Sequence, residues 1–200
     1  MSPVMSNQMR CLLPVFFFSM TAVLGQSRFA EFPFGEKSST SPDGSFTLNT
    51  EGCRPNPIKC DRRLWLVNNR TLGRKLLIDV RRTARVGWAP SGSAFFVNDD
   101  FASNVSSAYL YFPAEDRHFD LGALLDRKFP QDRHFEDDSH HYVNGVRWIG
   151  ADTIIVGRYG HFDREVSGGN EFAVCYEVST AGEVKRLFET HQESGPCQAP

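Results

Sequence analysis

The chain has 200 residues, of which 40% are hydrophobic and 23% charged, with a formal net charge of -2. That length holds one domain with a sizeable core, or two very small ones. The near-neutral balance argues against a strongly basic nucleic-acid binder, and the ordinary apolar content argues against a wholly disordered chain.

Residues 1–25 read as a leader. Arg10 is their only charge, an apolar run follows it from Cys11 to Leu24, and the small residues Val23 and Gly25 suit cleavage after Gly25. A positive start, a short apolar stretch and a small-residue exit make a secretory signal peptide. The run is short for a membrane span; an uncleaved N-terminal anchor is the alternative. Residues 26–200 are then expected to form a single β-rich domain, secreted or periplasmic. They hold Cys53, Cys60, Cys175 and Cys197. An even count in an exported chain favours disulfides. Three pairings are open. Cys53 with Cys60 is preferred because it would clip the base of a Pro-rich loop, and Cys175 with Cys197 because it would hold the Gly/Pro-rich tail on a sheet. The absence of CxxC spacing disfavours a zinc site.

Along the mature chain the same pattern recurs three times. The turn Ser41-Pro42-Asp43-Gly44-Ser45 precedes a strand from Phe46. Trp88-Ala89-Pro90-Ser91-Gly92-Ser93 precedes Ala94-Phe95-Phe96-Val97, and Trp148-Ile149-Gly150-Ala151-Asp152 precedes Thr153-Ile154-Ile155-Val156. Turn residues ahead of β-branched and aromatic runs predict hairpins. A second strand is expected in each unit, at Leu64-Trp65-Leu66-Val67, Ala108-Tyr109-Leu110-Tyr111 and Phe172-Ala173-Val174-Cys175-Tyr176-Glu177-Val178. A polar turn and a closing strand follow: residues 75–79, a weak one near His118-Phe119-Asp120, and residues 184–188. Opening strands are expected at residues 84–88 and 143–148. For the first unit, residues 29–34 are the candidate, weakened by Pro33. Asp120 is expected to cap a short helix that turns Leu121, Leu124 and Leu125 to the core. Trp65, Trp88 and Trp148 are expected in the core.

The order strand, Trp-x-Pro-(Asp/Ser)-Gly-Ser, strand resembles the blades of TolB-like and WD-repeat-like β-propellers. The likeness rests mainly on residues 41–45 and 88–93, spans about residues 38–190, and fades in the third unit. It implies an all-β chain of antiparallel four-stranded meanders, about three blades in number. Closed propellers typically have about 4–8 blades. Three blades imply an open stack capped by the tail, a half-propeller that docks on a partner, or a ring closed by a second copy. A general antiparallel β protein with good Pro-Asp-Gly turns is the plainer reading.

Residues 126–141 form an insertion rich in acids and histidines. His134, Glu136, Asp138 and His140 alternate, so a strand would set them on one face. Imidazole with carboxylate suits zinc or another transition metal, although a solvated polar loop explains the same composition. A small echo, His118-Phe119-Asp120, His134-Phe135-Glu136 and His161-Phe162-Asp163, suggests imidazole–carboxylate pairs or simple strand patterning; Arg158 and Tyr159 could join them in binding an anion. Asn69-Arg70-Thr71 and Asn104-Val105-Ser106 match the glycosylation pattern. No GxSxG, P-loop or GxGxxG occurs, so no catalytic residue and no cofactor is assigned. The sequence points to an exported, non-catalytic binding module, with a protein partner or self-association, no nucleic acid, and no membrane span after leader cleavage. The alternative is an exported metal-assisted hydrolase built on residues 134–141.

Overall fold

The computed structural model describes residues 29–33, 38–50, 62–132, 140–161, 171–190 and 197. The leader, Cys53, Cys60, His134, Glu136 and Asp138 lie outside the described residues. Thirteen strands and one α-helix form within them. No helix among the described residues is long and apolar enough to cross a membrane.

A three-residue strand, β1 (Ala30–Phe32), comes first. Three meanders follow. The first is β2 (Ser38–Thr40), β3 (Phe46–Thr50), β4 (Arg63–Asn68) and β5 (Arg74–Asp79). The second is β6 (Thr83–Trp88), β7 (Phe95–Asp100), β8 (Val105–Phe112) and β9 (Arg117–Asp120). Helix α1 (Leu121–Lys128) and a 3-10 turn (Pro130–Asp132) lead towards the third, β10 (His140–Ile149), β11 (Thr153–His161), β12 (Glu171–Ser179) and β13 (Val184–Thr190). Each meander is antiparallel throughout. The all-β, blade-like reading therefore holds, and the described sheets stay open rather than closing into a ring.

The first two units repeat down to single hydrogen bonds. Gly44 N–H donates to Ser41 O and Ser41 N–H to Phe46 O; Gly92 N–H donates to Ala89 O and Ala89 N–H to Ala94 O. Gly44 and Gly92 both take positive φ, 72° and 77°, a conformation that costs a side chain but not glycine. The third hairpin passes from Ile149 to Thr153 through a loop one residue shorter, again with a positive φ at Gly150. The fading of the motif there is thus a change of loop length, not of topology.

One expectation is overturned. Residues 30–32 do not open the first meander; they pair with β6 of the second, Phe32 opposite Ala84. Phe32 is fully buried there, and Pro33, which has no N–H to give, ends the strand. The first meander opens instead with Ser38–Thr40.

Two apolar clusters lie on either side of the second meander. Its strands feed both by period two. Phe95 and Val97 face a cluster with Phe32, Leu48, Leu64 and Leu66 from β1 and the first meander. Phe96 faces the other, with Leu121, Leu125, Val143, Ile154, Val156, Val174 and Tyr176. Burying each large side chain is worth roughly 1.5–3 kcal/mol. Helix α1 joins this second cluster as expected: Asp120 accepts from Ala123 N–H at 3.0 Å, and Leu121, Leu124 and Leu125 are buried.

The tryptophans divide. Trp148 is buried, and its Nε1–H donates to Gly87 O at 3.0 Å. Trp88 is half-buried against Phe95 and donates to Ser39 Oγ. Trp65 departs from the core expectation. It stands on the opposite face of β4 from Leu64 and Leu66, with the Arg74 guanidinium 4.0 Å from its ring centroid and Arg63 at 5.5 Å.

Candidate functional site

The polar side chains of interest collect where the second and third meanders meet. Strands β8 and β10 pair in parallel there for two residues, Val105 with His141 and Ser106 with Tyr142. A buried latch fixes the seam. Asn98, 1% exposed, donates from Nδ2 to Gly145 O at 2.8 Å and accepts from Gly145 N–H at 2.7 Å. Position 145 must be glycine for this approach, since a Cβ would sit 2.6 Å from the Phe96 ring.

A ladder of side chains runs from the latch to the end of the sheet. Ser106 Oγ donates to Asn144 Oδ1 at 3.1 Å, and Asn144 Nδ2 donates to the Tyr159 hydroxyl. Burial is the main cause that raises the Tyr159 phenol above its ordinary pKa, partly offset by Arg85 and the Asn144 bond. Arg85 pairs with Asp100 at 3.3 Å, and Thr83 Oγ1 donates to Asp100 at 3.1 Å. Beyond Tyr159, cross-strand register stacks Tyr142 on Tyr159, with ring centroids 5.1 Å apart, and His140 on His161, at 3.9 Å and 28° between planes. Tyr142 OH donates to Ser103 O at 3.1 Å and lies 3.3 Å from His140 Nδ1. Glu171 is the register partner of His161 on β12.

On the side of the third meander that faces the main core lies a second cluster. Asp132, at the end of the 3-10 turn, is 3% exposed. It accepts from Arg186 Nε at 2.8 Å and Nη2 at 3.1 Å, and from Tyr176 OH at 2.8 Å. Arg158, 1% exposed, donates to Asp132 O and Gly122 O and pairs with Asp126. Burial, then the Asp132 bond, push the Tyr176 phenol well above its usual range. The bonds to Asp132 and Glu189 raise the Arg186 guanidinium further. Every partner named here lies among the described residues. The network ties α1 and the start of the insertion to β11, β12 and β13.

The outer face of the third meander carries Ile155 and Cys175, with Val146 and Leu187 beside them. Cys175 forms a disulfide with Cys197, which is itself buried on this face. Gly157 leaves room for it: a Cβ there would lie 3.1 Å from Cys197 Sγ.

Of the four alternating residues singled out in the sequence, His140 alone lies within the described residues. No group of three or more His, Cys, Asp or Glu able to hold a metal forms among the described residues. Of the His-Phe-acid echo, residues 134–136 and 162–163 lie outside the described residues, and the two described histidines, His118 and His161, stand in different meanders. His118 stacks on Tyr111 in the second meander, 5.3 Å between centroids, while His161 stacks on His140 in the third. Arg158 is not an anion-binding group on a surface but a buried tie. Asn69 donates to Gly44 O at 2.8 Å, which commits its amide to the first hairpin turn.

The sequence matches no protein-family model and no curated protein. Solved structures similar to it include the β-propeller domain of the Trilobed protease from Pyrococcus furiosus, at 17% identity and a TM-score of 0.45, over 76% of this chain and 43% of that one. TolB from Acinetobacter baumannii is similar at 18% identity and a TM-score of 0.38, over 76% and 31%. Pyrococcus horikoshii acylaminoacyl peptidase is similar at 14% identity and a TM-score of 0.40, over 76% and 24%. The chain therefore spans less than half the length of each of these.

Proposed function

We propose that the chain is an exported, non-catalytic interaction module that associates through the outer face of its first meander. One observation carries this reading: the two outer faces of the stack are finished differently. The face of the third meander is apolar and is covered by the chain's own Cys197, held through Cys175. The face of the first meander carries a half-buried Trp65, capped by Arg74 and with its Nε1–H enclosed and without a hydrogen-bond partner, beside its register partner Leu76, which is 39% exposed. Aromatic and arginine side chains side by side are the composition of energetically dominant interface positions. A protein partner with acidic residues around an apolar anchor, or a second copy of the chain, would complement that face. Export is supported by the leader-like start of the sequence and by the disulfide.

Native mass spectrometry of the oxidised protein secreted by an exporting host tests the proposal. An N-terminus at Gln26 supports export. A complex that W65A dissolves, with the fold retained by circular dichroism, supports association through this face. A complex that survives W65A, or a chain that keeps residues 1–25 in the cytoplasm, defeats the reading.

A further inference from the structure

We propose that His140 and His161 form a two-imidazole site for a divalent transition-metal ion, Cu2+ being held most tightly.

The geometry begins with register. His140 and His161 face each other directly across β10 and β11, so their side chains leave the same face of the sheet. Their ring centroids are 3.9 Å apart. Each lone pair lies in its ring plane, so the two rings turn out of their stack to bring one nitrogen each to a common ion at about 2.0–2.1 Å, and rings this close need only side-chain rotation to do so. Both side chains are half-buried, at the end of the sheet, so an ion can reach them from solvent while keeping water in its other positions.

The hydrogen bonds then choose the tautomer. A phenol has one proton, and Tyr142 OH gives it to Ser103 O. Towards His140 Nδ1 the same oxygen can only accept. Nδ1 therefore carries the hydrogen in the neutral ring, and Nε2 carries the lone pair. A metal-binding imidazole is ordinarily prepared this way, with its far N–H tied to an oxygen that fixes the ring. Glu171, next in register to His161, sets a carboxylate on the neighbouring strand, favourable to a dication. Imidazole pairs suit copper, nickel and zinc, and the usual affinity order puts Cu2+ first.

Titrating Cu2+ into the full mature chain, followed by electron paramagnetic resonance, tests the site. The expected result is a tight equivalent whose spectrum shows two nitrogen ligands. H140Q and H161Q should each weaken it by about 10–100-fold and leave a single nitrogen, whereas H118Q, in the second meander, should change nothing. If either glutamine variant fails to fold, the wild type still decides the matter. Substoichiometric Cu2+ should broaden the imidazole proton signals of His140 and His161 before those of any other histidine. Copper that binds unchanged in the folded H140Q or H161Q chain, that broadens other histidines first, or that does not bind at micromolar concentration overturns the proposal.

Discussion

Asp43 and Gly92, from equivalent hairpin turns in the first and second meanders, are packed against each other: a Cβ on Gly92 would lie 2.6 Å from Asp43 Oδ1. The same carboxylate accepts from Ser41 Oγ at 2.6 Å and Ser45 N–H at 3.1 Å, which holds its pKa at about 2. The two turns thus support one another as well as their own strands. Gly44 and Gly92 share a positive φ, but nothing lies within 4 Å of a Cβ at Gly44. G44A should therefore cost only the left-handed backbone term, about 1–2 kcal/mol. G92A should cost more, because the Asp43 turn has to shift as well. Urea denaturation of both variants measures the difference. In D43A, most of the extra cost of G92A should disappear, the Asp43 main-chain nitrogen 3.1 Å from that Cβ accounting for the rest, giving a coupling energy on the order of 1 kcal/mol.

The Asp132 cluster predicts a second ordering. D132N removes the charge that Arg186 grips with two nitrogens, and Asp132 is almost fully buried. Because Arg186 is about a third exposed, the loss should fall below that of a fully buried pair, at about 2–4 kcal/mol. Y176F removes one bond but leaves the ion pair, for about 1 kcal/mol. Equal losses in chemical denaturation would mean that the pair contributes nothing beyond the phenol bond.

Local chemistry made most of the fold legible. Pro and Gly, with Asp43 in the first and Ser91 in the second, fixed the first two hairpin turns, period two marked the strands between them, and Asp120 with its three leucines marked the helix. Residues 30–32 were misassigned because pairing partners are chosen by tertiary packing: burying Phe32 beside Val86 and Ala84 decided the matter. The His140–His161 pair was hidden by one residue. Counting back from the turn, the register that joins Ile149 to Thr153 would set His140 opposite residue 162. The bulge between Gly145 and Arg147 shifts the pairing and brings His161 across instead. Such a bulge has no reliable signature in a single sequence. Asp132 was read with the acids of the insertion, yet it turns inward because Arg186 and Tyr176, distant in the chain, wait there.

Breaking the Cys175–Cys197 disulfide should destabilise the chain by about 3 kcal/mol, the loop-entropy value for a separation of 22 residues. It should also uncover Ile155 and Cys175 on the outer face of the third meander. The C175S/C197S double variant, melted beside the wild type with and without reductant, tests this. Reductant should lower the wild-type midpoint towards that of the variant. If it leaves the wild type unchanged while thiol labelling shows both cysteines free, the tail contributes nothing to stability.

Asp99 gives the pH dependence. Its carboxyl is raised from 3.8 to about 6, first by burial and then by neighbouring Asp100, with Arg81 opposing. Its Oδ1 has no hydrogen-bond partner. The unfolded carboxyl loses its proton near 3.8, and the folded one near 6. Between those values the folded state binds more protons, so stability falls as pH rises through the window. A gap of about two units corresponds to roughly 3 kcal/mol of destabilisation once the folded carboxylate is charged. D99N should remove that fall. The difference in melting temperature between D99N and wild type should therefore widen by about 5–10 °C from about pH 4 to about pH 7. Calorimetric scans across that range read it directly. A difference that stays constant with pH would show that Asp99 titrates at its ordinary value, and that water or a charged partner reaches Oδ1 within the sheet.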